Sequence, residues 1–459
     1  MEAFTLRPDQ IEDLGWFMVN KKGLFLSDPG TGKTPVVCVL QRWLWDTHGV
    51  ATVWVMPNSL RQKNLEEAMR FGGWSEGDVI IVDENEVRPG ARVYIMGFTR
   101  FVKVWKDLPD TVKALHIDES HKAFGGHESQ RTIAMWDFMK KRGEWFVPMT
   151  GTLINGKLDT AFPVIQVIEP LYYGSYEGFK QCHHVVDTFT LKTTGYRDHQ
   201  ILGEIFIRHG RRRRFTDIHG PEAKVMQTEW IDLLPEQAVV YHKFHEEGVL
   251  ELERFFIEGK NPGVAFTRAR QIMEHPNCFP DLTDPKAPPI NILSPGQRAG
   301  KIERLEFHIT DAIENDTPLV IFSSMRPQQH EILALVASLG GRAKLMNGEN
   351  PEERAGIDAD FRAGRIKILV CSPEVADTGF NWQFCGHQEV GHVVFVTLHY
   401  VDTVLLQAYR RFMRQKRSTA LRITTMLYRK TIDEHISRIV AKKSREAKKV
   451  DPDRVEFSF

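Results

Sequence analysis

Residues 24–34 read Leu-Phe-Leu-Ser-Asp-Pro-Gly-Thr-Gly-Lys-Thr, an apolar run that breaks into a glycine-rich loop. Pro35 follows, and its fixed φ suits the first turn of a helix. Backbone N–H groups of Gly30, Thr31 and Gly32 at such a helix N-terminus would face phosphates. Lys33 would reach the β/γ-phosphates, and the Thr34 hydroxyl would ligate Mg2+. Ser27 stands where such loops usually open with glycine. Asp118-Glu119-Ser120-His121 follows a second apolar run, Ala114-Leu115-His116-Ile117. Acids at a strand's C-terminal end share a sheet edge with a phosphate loop. That casts Asp118 as a Mg2+ ligand and Glu119 as the base that orients and deprotonates an attacking water. Thr150-Gly151-Thr152 closes a further run, and its hydroxyls could relay the nucleotide state to another ligand.

A third group lies far down the chain. Gln407, Arg411 and Arg414 fall on a helix expected over 403–413, or just past its end. Two arginines three apart share a helix face. They could stabilise charge on a transferring phosphoryl group, as an arginine finger does, or form a solvated basic face. The densest basic run, Arg211-Arg212-Arg213-Arg214, could grip a phosphate backbone or form a surface loop. Cys182-His183-His184, with His199 and His209, lacks the second cysteine pair of a tetrahedral zinc set, and these are read as ordinary residues.

The elements that must position these residues follow from periodicity. Apolar runs at 24–26, 51–56, 79–82, 93–96, 114–117 and 145–149 read as buried strands, with helical stretches at 35–45 and 59–71 between them. Strand–helix alternation implies a mostly parallel sheet covered by helices. A second such pattern starts near residue 300, with strands at 319–322, 343–346, 366–371, 392–396 and 421–427 and helices at 327–339, 351–363 and 403–413. The stretch 159–297 is helix-rich; 235–258 is its clearest helix, Gly259 a plausible stop, and a proline-rich segment closes it. A last helix is expected over 432–449, with a lysine-rich end.

With 459 residues the chain exceeds one hydrophobic core, so two or three domains are expected. Its formal net charge is zero, and any polyanion must therefore be met by local basic patches. Five scattered cysteines without a CxxC pair point to a reducing compartment. The polar start and the lack of a long apolar run point to the cytoplasm, or to the nucleus if the source is eukaryotic.

Taken in order, these motifs resemble those of the superfamily 2 helicases and, within them, the Swi/Snf-type ATPases. Leu6-Arg7-Pro8-Asp9-Gln10 with Trp16 resembles the adenine-reading Q motif, with Gln10 as the reader. The phosphate loop resembles motif I, and Met56-Pro57-Asn58-Ser59-Leu60 the DNA-contacting motif Ia. Asp118–His121 resembles a DEAH-like motif II, and 150–155 motif III with Leu153 in place of proline. Phe206-Ile207-Arg208, Pro221, 234–237, Tyr241, 270–276 and Lys301 resemble that family's stretch between lobes. Val320–Ser323 is similar to motif IV; Asn347-Gly348, Arg354 and Phe361 to the motif after it. Ser372, Gly379 and Asn381 are similar to motif V, from which Glu374, Ala376 and Asp377 depart. Gln407, Arg411 and Arg414 are similar to motif VI, with Lys416-Arg417 for Gly-Gln and Tyr400-Val401-Asp402 for the preceding Trp-Asn-Pro.

The resemblance implies an α/β fold of two RecA-like lobes, parallel sheets flanked by helices, with a helical insertion between them. The lobes would span 1–220 and 221–459, and the insertion roughly 159–297. It implies ATP and Mg2+, with Arg411 and Arg414 completing the site when the lobes close, and His121, Thr150, Thr152, Pro57, Gly379 and Gln407 in coupling or DNA contact. Its implied activity is an ATP hydrolase that translocates on double-stranded or branched DNA and remodels DNA or DNA–protein structures. Replication or recombination proteins are further candidate partners. A strand-separating helicase and a catalytically degenerate nucleotide-dependent DNA-binding protein are the alternatives. A motor core without added modules suggests a bacteriophage or bacterial source.

Overall fold

The computed structural model describes residues 5–83, 87–151, 154, 158–190, 192–258, 263–281, 286–376, 380–450 and 459. The chain divides into two compact units, one built on Met1–Pro221 and one on Glu222–Lys448. Each is a parallel sheet flanked by helices, as expected.

In the first unit, β1 is Leu24–Phe25, β2 Ala51–Met56, β3 Val79–Ile81, β4 Val93–Gly97, β5 Val112–Ile117 and β6 Trp145–Pro148. Strands β2 to β6 form a parallel sheet in the order β3-β4-β2-β5-β6. Every residue of β2, β4 and β6 is buried, the signature of a sheet covered on both faces. β1 extends this sheet: Gly23 N donates to Phe146 O at 3.0 Å and Thr150 N to Phe25 O at 3.1 Å. Its alternate amides face the other way, so β1 also pairs with a short strand β9, Gly210–Arg211. Between β6 and β9 runs a hairpin of β7, His184–Val186, and β8, Thr193–Tyr196. Its base is fixed on Asp159, which accepts from Tyr176 and Tyr196 (2.7 Å) and lies 3.1 Å from His184 Nε2.

In the second unit, β10 is Lys224–Ile231, β11 Leu319–Phe322, β12 Ala343–Met346 and β13 Ile368–Cys371. A small antiparallel pair, β14 Phe384–Cys385 and β15 Gln388–Glu389, precedes β16 His392–Phe395 and β17 Leu421–Tyr428. The parallel sheet runs β10-β17-β16-β11-β13-β12. β10, unexpected from sequence, pairs along its full length with β17, from Lys224↔Leu421 to Ile231↔Tyr428. The helix expected over 403–413 is shorter: it spans Asp402–Tyr409 and tightens into a 3-10 turn, Arg410–Phe412.

A buried ion cluster joins four helices of this unit. Lys301, on Gly300–Glu314, places Nζ 2.8 Å from Glu274 of Val264–Glu274 and 2.8 Å from Asp433 of Ile432–Val450. Gln328, on Arg326–Ser338, donates to the other Glu274 oxygen at 2.8 Å. The Tyr428 hydroxyl accepts Lys301 N at 3.1 Å, and Tyr428 N donates to Asp433 at 3.0 Å. All three charged side chains are fully buried. Burial alone would lower the Lys301 ammonium's pKa, but Asp433 and Glu274 raise it instead. Among the described residues, no helix is long and apolar enough to cross a membrane.

Removing the cation leaves two buried carboxylates facing each other. Lys301→Met is expected to destabilise the second unit by about 3–5 kcal/mol, read as a lower urea midpoint for its unfolding transition.

Candidate active site

The loop between β1 and α2, Lys33–His48, turns through left-handed backbone at Gly30 (φ 86°) and Gly32 (φ 87°). A Cβ on Gly32 would lie 2.4 Å from Gln10 Nε2, so this position needs glycine for space as well as for φ. Thr31 closes a turn onto Asp28 O through its N–H at 3.3 Å and its hydroxyl at 2.7 Å.

The loop is held from two sides. On one stands α1, Pro8–Val19. Gln10 Nε2 donates to Gly32 O at 2.9 Å, while Gln10 Oε1 accepts Arg7 N at 2.9 Å. The Arg7 guanidinium donates to Thr31 O at 2.6 Å. Both ends of the Gln10 amide are thus engaged on protein groups. On the other side runs a strap, residues 210–219. Asp28 N donates to Arg213 O at 2.9 Å, and Arg213 N to Ser27 Oγ at 2.8 Å. Phe215 N donates to Asp28 Oδ2 at 3.0 Å, and the His219 ring lies 3.3 Å from Gly30 O. The serine that replaces glycine therefore contributes a hydroxyl that anchors the strap.

The strap also settles what two of the four clustered arginines do. Arg211 donates to Asp13 at 2.8 Å and Glu12 at 2.6 Å. Arg213 donates to Glu12 at 2.6 Å and Asp13 at 3.0 Å. Arg211 and Arg213 clasp α1 instead of standing free to grip a phosphate backbone, because buried Asp13 needs a cationic partner.

The chemical groups gather at the C-terminal edge of the sheet. Lys33 Nζ donates to Ser27 O at 2.6 Å and Asp28 O at 3.1 Å. Asp118 leaves β5; its Oδ1 accepts Glu119 N at 2.9 Å, and its Oδ2 accepts Asn64 Nδ2 at 3.2 Å. Burial and the Glu119 charge raise the Asp118 pKa against the opposing pull of Lys33 and Asn64. Glu119 sits at φ 48°, a strained conformation for a residue with a Cβ, just before the short helix Ser120–Ala123. His121 Nδ1 lies 2.9 Å from Thr150 Oγ1 and 3.4 Å from Glu119 Oε2, and the His121 ring is buried. Gly151 passes so close to the phosphate loop that a Cβ on it would stand 2.9 Å from Pro29 Cδ. Pro57 follows β2 and opens the turn Asn58–Leu60. Thr152 lies outside the described residues, as does Gly379.

Asn64 and Glu67, both on α3 (Arg61–Gly72), reach this edge unannounced by any motif. Burial raises the Glu67 carboxyl's pKa, and the nearby Thr34 hydroxyl is among the groups that pull it back down. The only sequence signal was their spacing, one helical turn apart after Pro57. Thr34 and Asp118 offer hard oxygen donors near the Lys33 charge, the chemistry that suits Mg2+.

The remaining expected residues belong to the second unit. Gln407 is buried on the helix Asp402–Tyr409, and Arg411 is buried on the turn after it. Arg411 O accepts Trp382 N at 3.0 Å. The Arg414 guanidinium donates to Phe380 O at 3.0 Å, and Arg414 N donates to Gln383 Oε1 at 2.9 Å. The two arginines do not share an α-helical face, because the helix ends at Tyr409 and the backbone turns away at Met413 (φ −122°, ψ 76°).

No protein-family model matches the chain, and no curated protein does. Among solved structures, the chain is similar to the Sulfolobus solfataricus SWI2/SNF2 ATPase core in complex with dsDNA, with a TM-score of 0.43 and 19% identity over 99% of this chain and 98% of that one. It is also similar to the C-terminal part of the Fun30 ATPase domain, with a TM-score of 0.37 and 15% identity over 48% of this chain and 89% of that one. Likenesses this weak leave the residues to carry the functional reading.

Because Gln10 braces the Gly32 carbonyl and accepts Arg7 N, Gln10→Ala should weaken any triphosphate ligand. Losing two hydrogen bonds of ~0.5–1.5 kcal/mol each predicts about a tenfold drop in affinity, equal for ATP and for inorganic triphosphate by calorimetry. A loss confined to ATP would restore Gln10 as an adenine reader.

Proposed function

We propose that the chain is a DNA-dependent ATPase of the Swi/Snf, superfamily 2 helicase type, coupling ATP hydrolysis to translocation on double-stranded DNA. One observation carries this reading. The phosphate loop, the Asp118-Glu119 pair and the His121–Thr150 contact converge on one edge of one parallel sheet.

In this reading the loop's N–H groups and the α2 N-terminus hold the phosphates. Lys33 leaves its loop carbonyls for the β/γ-phosphates, and Thr34 and Asp118 hold Mg2+. Held by these two residues, Mg2+ would supply positive charge to offset that of the phosphates. Glu119 takes the proton of a water aligned with the γ-phosphorus. His121 touches both Glu119 and Thr150 and so links the base to the segment that follows β6. Arg411 and Arg414 are assigned to the transferring phosphoryl group on their sequence pattern. Thr152, Pro57, Gly379 and Gln407 are assigned to DNA contact or coupling on the same ground. DNA would be held chiefly by its phosphates, making binding salt-sensitive and nearly indifferent to sequence.

A strand-separating activity is favoured by one feature. Phe189, at the tip of the β7–β8 hairpin, is 95% exposed. Asp187 Oδ1 fixes that tip by accepting Phe189 N at 3.1 Å and Thr190 N at 2.7 Å. An exposed aromatic ring on a hydrogen-bonded turn is the kind of side chain that can wedge between bases.

The decisive assay is ATPase rate without DNA, with single strands and with duplex. Duplex stimulation with triplex displacement is expected. Stimulation by single strands alone, with release of a forked strand, selects the second activity, and no turnover under any condition rejects both. Glu119→Gln should bind ATP normally and lose turnover; full turnover would remove it as the base. Arg414→Ala should lower kcat by ~10³ or more, whereas near-normal kcat would return Arg414 to a structural role.

A further inference from the structure

We infer that α3 supplies two positioning residues, Asn64 and Glu67, which orient the two proposed metal ligands, Asp118 and Thr34. The inference rests on the nucleotide reading above.

Asn64 and Glu67 are three residues apart, so they project from one helix face. Buried Asn64 donates to Asp118 Oδ2 at 3.2 Å and lies 3.1 Å from Met56 Sδ. Asp118 Oδ1 is meanwhile taken by Glu119 N at 2.9 Å. The carboxylate is thereby fixed in rotation from both oxygens, with lone pairs left over for an ion. A neutral amide is the right partner here, because it donates without adding charge beside Asp118.

Glu67 plays the complementary part for Thr34. A hydroxyl has one proton and two lone pairs. When the proton points to Glu67, the lone pairs point away from α3 and are free to ligate. Lys63 reaches the Glu67 carboxylate at 3.7 Å from the helix surface and steadies it there. The Asp118 charge acts on Glu67 and also on the buried thiol of Cys38 on α2. Asp118 thus feels the like charges of Glu119 and Glu67, and Lys33 opposes them at Asp118.

The test uses the full chain and does not need turnover. A fluorescent, non-hydrolysable ATP analogue is titrated in EDTA and then with increasing MgCl2, and Mn2+ occupancy is followed in parallel by electron paramagnetic resonance. Glu67→Ala and Asn64→Ala are each expected to raise the half-saturating Mg2+ and Mn2+ concentrations by ~10–100-fold, with analogue binding in EDTA unchanged. Glu67→Gln keeps an acceptor for Thr34 and should fall between wild type and Glu67→Ala; it also serves if the alanine variants do not fold. Unchanged metal half-saturation in variants that bind the analogue normally in EDTA would overturn the positioning role. Wild-type chain that binds the analogue neither with nor without metal would overturn the nucleotide reading and the role with it.

Discussion

Gly30 and Gly32 bring no side chains to hold this loop's shape, so neighbouring groups must grip its carbonyls. Here the grip comes from both flanks. Arg7 and Gln10 bond Thr31 O and Gly32 O from α1, while the strap after β9 bonds Ser27 and Asp28 and sets His219 beside Gly30 O. The flanks are themselves tied together by Arg211 and Arg213 on Glu12 and Asp13. Any shift of the loop would therefore strain its bonds to Arg7 and Gln10 and to residues 210–219 together. The strap lies just upstream of the boundary between the two units, at Pro221 and Glu222.

The edge beyond the loop is a place of stored electrostatic and backbone cost. Asp118 and Glu119 adjoin, Glu119 takes a left-handed φ, and burial raises the Asp118 pKa. Non-glycine residues persist in such conformations only where surrounding bonds over-determine them. Those bonds are present: Asp118 N to Val55 O at 2.8 Å, Ser120 N to Met149 O at 2.9 Å, and the His121–Thr150 pair. Neighbouring strands thus impose the turn that aims Glu119 off the end of β5.

The apolar strands were legible in sequence because a sheet covered on both faces needs unbroken apolar runs, and β11, buried throughout, matches its expected range. β9 and β10 were not legible. β9 is two residues, Gly210–Arg211, inside a basic run, and β10 is a half-buried edge strand of mixed polarity. Edge strands bury one face at most, so their composition carries little signal. The loop and the Asp118–His121 turn were readable because their chemistry is contiguous. Asn64 and Glu67 were not, since a helix that delivers two side chains to a distant strand end leaves no local pattern. The 403–413 segment was over-read: its apolar spacing continues past Tyr409, but Arg410 and Arg411 are buried there in a tighter turn.

The buried cluster around Lys301 shows a different use of charge. Replacing such a group by well-packed apolar residues often costs nothing or stabilises, so its worth is not in net stability. What it offers is direction. Lys301 has three donors, and two of them go to carboxylates on helices from opposite ends of the second unit. Gln328 then carries the Glu274 link to Ser323 at 2.6 Å and Thr397 at 2.9 Å, beside the ends of β11 and β16. An apolar plug would hold the four helices by packing alone, with no directional bonds. A cation that must meet two acids at 2.8 Å fixes the helices of this unit against the strand ends that precede Gln407, Arg411 and Arg414.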